Sequence, residues 1–135
     1  TFGATEIINA SANDPVSAIR ELTHGEGAHK TLEASSAPSA RQAAVQAVRS
    51  WGVACFVGER GNVALDVSPD LLRRQVTLLG SWTFSTQGQS DCAEFVADNN
   101  IDVEALFTDT WSLDQAQQAY EKFDTQTTGK GVIIP

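Results

Sequence analysis

Short runs of β-branched and apolar residues alternate along the chain with stretches in which apolar residues recur every three or four positions. That alternation predicts parallel βαβ units. Glu6-Ile7-Ile8-Asn9 reads as a first strand. Asn13-Asp14-Pro15 then caps a helix whose Val16, Ile19 and Leu22 share one face before Gly25 stops it. His29 to Ala34 predicts the next strand. Pro38 stands where a first helical residue should, and Ala40, Ala44, Ala47, Val48 and Trp51 keep helical spacing until Gly52. Val53 to Val57 is a continuous apolar run followed by Gly58-Glu59-Arg60-Gly61, the pattern of a fully buried parallel strand and its exit turn.

The second half continues the theme. Ser68-Pro69 starts a short helix through Arg74, and Val76 to Gly80 reads as another buried strand. Cys92, Phe95 and Val96 mark an amphipathic helix from about Gln89 to Asn99. Ser112 with Gln115 forms a capping box ahead of Leu113, Ala116, Tyr120 and Phe123, and Gly131 to Ile134 closes the chain as a strand.

Composition narrows the class. With 135 residues, 41% of them apolar, the chain has the size and hydrophobicity of one soluble domain. No apolar run is long enough to span a bilayer, and no signal-peptide layout opens the sequence. Seventeen acidic residues against nine basic ones give a net charge of −8, a field that suits neither nucleic acid nor an anionic membrane. Cys55 and Cys92 each sit within an apolar pattern and read as small buried hydrophobes, which fits reduced, cytoplasmic surroundings. There is no methionine, and the chain starts at Thr1-Phe2-Gly3, so a fragment or processed chain is expected.

In an open parallel sheet, ligands lie beyond the carboxyl ends of the strands. Three strand exits stand out: Ala34-Ser35-Ser36, Val57-Gly58-Glu59 and Gly80-Ser81-Trp82-Thr83. Their small residues let a flat ligand lie close to the backbone, or equally let helices pack tightly on strands. Trp82 is suited either to walling a ligand pocket or to covering a subunit interface.

Other chemistry finds little support. Gly25-Glu26-Gly27 begins like a dinucleotide fingerprint, but it precedes a strand and Lys30 takes the third glycine position. His24, Glu26 and His29 fall on a glycine-rich loop and read as solvated rather than as a metal site. No nucleophile elbow or zinc-protease helix occurs. Asp66, Asp70, Asp91, Asp109 and Asp114 read as caps and surface charge.

Phe2-Gly3-Ala4-Thr5-Glu6-Ile7-Ile8-Asn9, Leu22 to His29, Leu32-Glu33-Ala34-Ser35-Ser36, Val57-Gly58 and the closing Gly129 to Pro135 together resemble the zinc-dependent medium-chain alcohol dehydrogenases. Gly80-Ser81-Trp82-Thr83-Phe84-Ser85 resembles the polyol and threonine dehydrogenase side of that family. The resemblance implies a partial Rossmann-like fold: an α/β, three-layer parallel sheet with helices on both faces, lacking its first βαβ unit. It divides the chain into a cofactor-domain part, about 1–100, and a final helix and strand returning toward the catalytic domain, about 101–135. The glycine-rich turn, the ribose-reading acid and every zinc ligand would lie upstream, with Phe2-Gly3-Ala4 as the end of a helix.

The same resemblance assigns roles to the strand exits. The backbone at Ala34, Ser35 and Ser36 would border the adenosine and its ribose, and Val57 and Gly58 would line the nicotinamide. Ser81 C=O and Thr83 N–H would hold the carboxamide, with Trp82 between them. Ser36 stands where the family usually has glycine, and Ile133 falls about where relatives often place a phosphate-binding arginine, for which Lys130 is a substitute. The implied cofactor is NAD or NADP, with zinc in the parent but not on this chain. A small alcohol or polyol would be the parent's substrate, the chain alone would be inactive, and pairing of copies near Val76 to Trp82 would make a homo-oligomer.

Loss of two strands leaves about 10 Å of unpaired ladder between Glu6–Asn9 and His29–Ala34, at roughly 4.8 Å per strand. Either the first strand swings in beside the second, or another copy fills the gap. Two rivals complete the reading. One is the zinc-free quinone or enoyl reductase branch. The other is a non-enzymatic α/β signalling module, whose acidic pair and phosphorylatable Asp are not supplied at the strand exits.

Overall fold

The structure, a computed structural model, describes residues 3–125 and 129–135. The backbone forms two compact units, Thr1–Thr83 and Phe84–Pro135. The helix-end reading of Phe2-Gly3-Ala4 begins at Phe2, outside the described residues.

In the first unit, Asp14 accepts the Ser17 N–H at 2.9 Å and so caps α1 (Pro15–Leu22), with Pro15 in the first turn where a missing N–H costs nothing. The Ser17 hydroxyl, joined by this Ser17 N–H, holds the Asp14 carboxyl below its ordinary value. The helix unwinds through His24 and Gly25, at φ +54° and +92°. β1 (Ala28–Glu33), α2 (Pro38–Ala47), β2 (Val48–Phe56) and β3 (Thr77–Gly80) follow, with a π-helical turn at Val67–Leu72. The three strands make one parallel sheet in the order β1-β2-β3, with Glu33 level with Phe56 and Phe56 level with Gly80. Their carboxyl ends therefore finish in one row.

The centre of this unit is small. Val45, Ala47, Val48 and Ala54 are at most 1% exposed, and each buried valine stabilises by about 1.5–3 kcal/mol relative to an exposed one. Around them lie three buried polar side chains, Glu33, Arg41 and Asp70.

Several expectations are corrected. Glu6–Asn9 forms no strand: Asn9 instead accepts the N–H groups of Ala12 and Asn13 on its carbonyl and of Ser11 on its side chain, and Ile7 is 80% exposed. Without a neighbouring ladder, β-propensity alone does not make a strand. The segment does not swing in beside β1, whose outer side carries no strand among the described residues. An open groove of about 910 Å³ lies there between α1, β1 and α2.

The second helix stops at Ala47 rather than Gly52. Arginines from elsewhere take its terminal carbonyls: Arg20 Nη2 donates to Gln46 at 3.0 Å, and Arg74 donates to Val45 at 3.1 Å and to Val48. Val48 is thereby free to pair with Ala28. From that pair to Lys30↔Val53, β2 advances five residues while β1 advances two. Trp51, in the excess, sits at φ +60° and is 70% exposed.

The helix expected over Ser68 to Arg74 has π geometry, with Arg73 N–H reaching back five residues to Ser68. Asp70 in it is buried, not a surface charge, and accepts the Asp66 N–H at 2.9 Å and Gln46 Nε2 at 3.3 Å. β3 is exposed, not buried, because the helix that covers this sheet, α2, packs on β1 and β2.

In the second unit, α3 (Thr86–Asp98) buries no residue, so Cys92 is exposed where a buried hydrophobe was expected; Cys55 on β2 is half-buried. Packing there falls to β4 (Asp109–Ser112), α4 (Ala116–Thr125) and β5 (Gly131–Ile134) instead. β4 and β5 pair in parallel, and the Ser112–Gln115 capping box is present as expected. β4 is a strand that the hydrophobic pattern did not show.

Candidate functional site

Since β1, β2 and β3 end level, the three exits singled out from the sequence come together on one rim of the first unit. Ala34, Ser35, Val57, Ser81, Trp82 and Thr83 are exposed there, and Ser36 and Gly58 are half-buried. Trp82 remains 72% exposed.

Most of the rim's backbone donors are already committed. Val57 and Gly58 N–H donate to the Glu33 carbonyl at 2.9 and 3.2 Å, and Ser81 N–H donates to Phe56 at 3.0 Å. Ser35 and Ser36 N–H both donate to Glu33 Oε1, at 2.6 and 2.7 Å, and Ser35 Oγ joins them at 2.7 Å. By contrast, among the described residues the Ser81 C=O and both backbone groups of Trp82 and of Thr83 have no protein partner. One acceptor and one donor two residues apart are thus left open at the end of β3. A primary amide requires that complement, since it donates through nitrogen and accepts through oxygen.

Glu33, 3% exposed, and Arg41, 7% exposed, stand beneath this rim and escape a reading of the sequence. The only signal is an acid closing a strand, with an arginine in the next helix. Arg41 Nε lies 3.4 Å from Glu33 Oε2, and Arg41 Nη2 donates to the carbonyls of Gly58, at 2.6 Å, and Arg60. Hydrogen bonds from Ser35 and Ser36, helped by Arg41, hold the Glu33 carboxyl below its ordinary range against the opposing effect of burial.

Two backbone features fit a surface built for close approach. Gly58 has no room for a side chain: a Cβ there would come within 2.6 Å of Ser36 N and 3.0 Å of Glu33 Oε2. Ser36 sits at φ +69°, a conformation in which glycine is unstrained and serine is not. Thr83 at φ +53° is strained as well, being β-branched. His24 and His29 are exposed, and among the described residues no three His, Cys, Asp or Glu side chains gather around a point.

Comparison with known proteins identifies the lineage. Residues 1–99 match the family profile described as zinc-binding dehydrogenase. The chain belongs to that family. A zinc-type alcohol dehydrogenase-like protein of Escherichia coli, YphC, is 36% identical over 85% of the chain and 32% of its own length. Sorbitol dehydrogenase of Bacillus subtilis is 30% identical over 90% of the chain and 34% of its own length. The crystal structure of a zinc-binding dehydrogenase from Sinorhizobium meliloti bound to NADP superposes with a TM-score of 0.83 at 22% identity, covering 98% of this chain and 40% of that one. The chain spans about a third of the length of these curated relatives. The α/β fold is therefore the Rossmann-like cofactor-binding fold of alcohol dehydrogenases, and the signalling-module reading is set aside.

Proposed function

We propose that the chain supplies the nicotinamide side of the dinucleotide site in an NAD(P)-dependent alcohol or polyol dehydrogenase. The observation that carries this reading is the open pair at the end of β3, Ser81 C=O and Thr83 N–H, which suits the nicotinamide carboxamide. Val57 and Gly58 would line the ring from the neighbouring exit, and Ala34, Ser35 and Ser36 would border the adenosine and its ribose. The NADP carried by a zinc-binding dehydrogenase of the same fold supports that class of ligand.

When bound, the dinucleotide supplies a hydride acceptor or donor. This chain's part is to hold the carboxamide so that the ring cannot turn, and to keep the Gly58 exit packed against Ser36, where a side chain on Gly58 has no room. Residues at about 1–100 serve the cofactor, and those at about 101–135 return toward a catalytic domain. Zinc and the pocket for a small alcohol or polyol belong to the rest of the dehydrogenase, and copies pair through the edge near Val76 to Trp82.

Titration of isotope-labelled chain with NAD+ and NADP+, followed by amide chemical shifts, tests the site. Shifts centred on Val57, Gly58, Ser81, Trp82 and Thr83 are expected. Shifts confined to the groove between α1 and α2, or none at millimolar dinucleotide, would overturn the assignment. The 135-residue chain by itself, given zinc, NAD(P)+ and sorbitol, should oxidise nothing.

A further inference from the structure

We propose that Glu33 is a positioning residue of the dinucleotide site, coupling the β1 exit to the β2 exit through Arg41; this rests on the reading of the rim as that site. No other residue on the rim touches both exits in so many ways. Its backbone carbonyl takes the N–H groups of Val57 and Gly58 from the β2 exit. Its Oε1 takes the N–H groups of Ser35 and Ser36 from the β1 exit. Its Oε2 faces Arg41 Nε at 3.4 Å, and Arg41 in turn carries the Gly58 and Arg60 carbonyls on Nη2.

The result is a closed ring: β1 exit, Glu33 carboxylate, Arg41, β2 exit. What the ring sets is the spacing between Ser36 and Gly58, which is already so tight that a methyl group on Gly58 would overlap Ser36. A carboxylate is required because three donors converge on one oxygen while a cation faces the other. An amide at this position points its NH2 either at Ser35 and Ser36 or at Arg41, and in both orientations donors meet donors. With the carboxylate gone, the two exits lose their common anchor and the surface on which a dinucleotide lies moves.

The test compares NAD+ and NADP+ affinity of wild type, Glu33→Gln, Arg41→Lys and Arg74→Met by amide-shift titration, at a temperature where each is folded. Glu33→Gln is expected to bind about tenfold more weakly, the effect of leaving buried donors unmatched. Its unliganded spectrum should show the Ser35 and Ser36 amide protons moved upfield, the signature of a lost carboxylate acceptor. Arg41→Lys keeps the charge but not the two-carbonyl reach, and should weaken binding less. Arg74→Met, which destabilises the same unit away from the rim, should bind as wild type does, so a general loss of stability does not imitate the effect. Wild-type affinity in Glu33→Gln overturns the proposal. If Glu33→Gln does not fold, undiminished affinity in Arg41→Lys overturns it instead. If wild type binds neither dinucleotide, the functional reading fails and this inference fails with it.

Discussion

The backbone of Gly58 lies so close to that of Ser36 that a β-carbon on Gly58 would stand 2.6 Å from the Ser36 nitrogen. Gly58→Ala must therefore push the β1 and β2 exits apart. A loss of about 1–3 kcal/mol in urea unfolding is expected, as for overpacked interiors, with disappearance of the dinucleotide-induced shifts at Val57. Unchanged stability would mean that the two exits are free to separate.

Ser36→Gly should act in the other direction. Ser36 holds φ +69°, where an L-residue is strained by roughly 1–2 kcal/mol. Glycine returns about 0.5–1 kcal/mol of this through the greater freedom of its unfolded chain, leaving a net gain of about 0.5–1 kcal/mol in the unfolding free energy, read from chemical denaturation. The Ser36 N–H bond to Glu33 is kept, since it belongs to the backbone.

Acid should weaken the first unit through Glu33. Folding lowers this carboxyl below its ordinary value of 4.5, chiefly through the Ser35 hydroxyl. A lowered carboxyl stabilises fully above its unfolded pKa, and that contribution disappears as pH falls through the folded one. The stability margin of wild type over Glu33→Gln should thus be constant at neutral pH and shrink below about pH 4.5. Urea midpoints of both proteins across that range provide the check, and a margin that grows in acid contradicts the assignment.

Arg74→Met should be among the costly substitutions outside the rim. Arg74 donates to Val45 and Val48 where α2 ends, and its own partial burial lowers its pKa. Removing it strands carbonyls next to a fully buried valine, for a loss of about 1–3 kcal/mol. Arg74→Lys should recover part of this, since one ammonium reaches one carbonyl.

What the sequence conveys about this molecule follows from locality. The helix beginning at Asp14-Pro15, the glycine stop near Gly25, the strand expected over His29 to Ala34 and found over Ala28–Glu33, and the Ser112–Gln115 box each rest on neighbours within a turn, and the structure contains them. Elements decided from a distance behave otherwise. Val48 to Trp51 keep a helical period, yet Arg20 and Arg74 close the helix earlier and Ala28 recruits Val48 into a strand. Glu6–Asn9 has strand composition but no partner. The three exits were visible as small residues ahead of helices, and the level strand ends that bring them together are a matter of sheet register. Glu33 and Arg41, eight residues apart, give no local sign of the ring they close.

The arginines that close α2 lie on either side of it, Arg20 26 residues before the Gln46 carbonyl it meets and Arg74 29 and 26 residues after those of Val45 and Val48. On the ribosome these arrive at different times. The helix emerges with Arg20 already made to meet the Gln46 carbonyl, whereas the carbonyls of Val45 and Val48 lack their arginine until Arg74 has been synthesised. Closure of the helix therefore waits on a residue that just precedes β3, the last strand of this sheet.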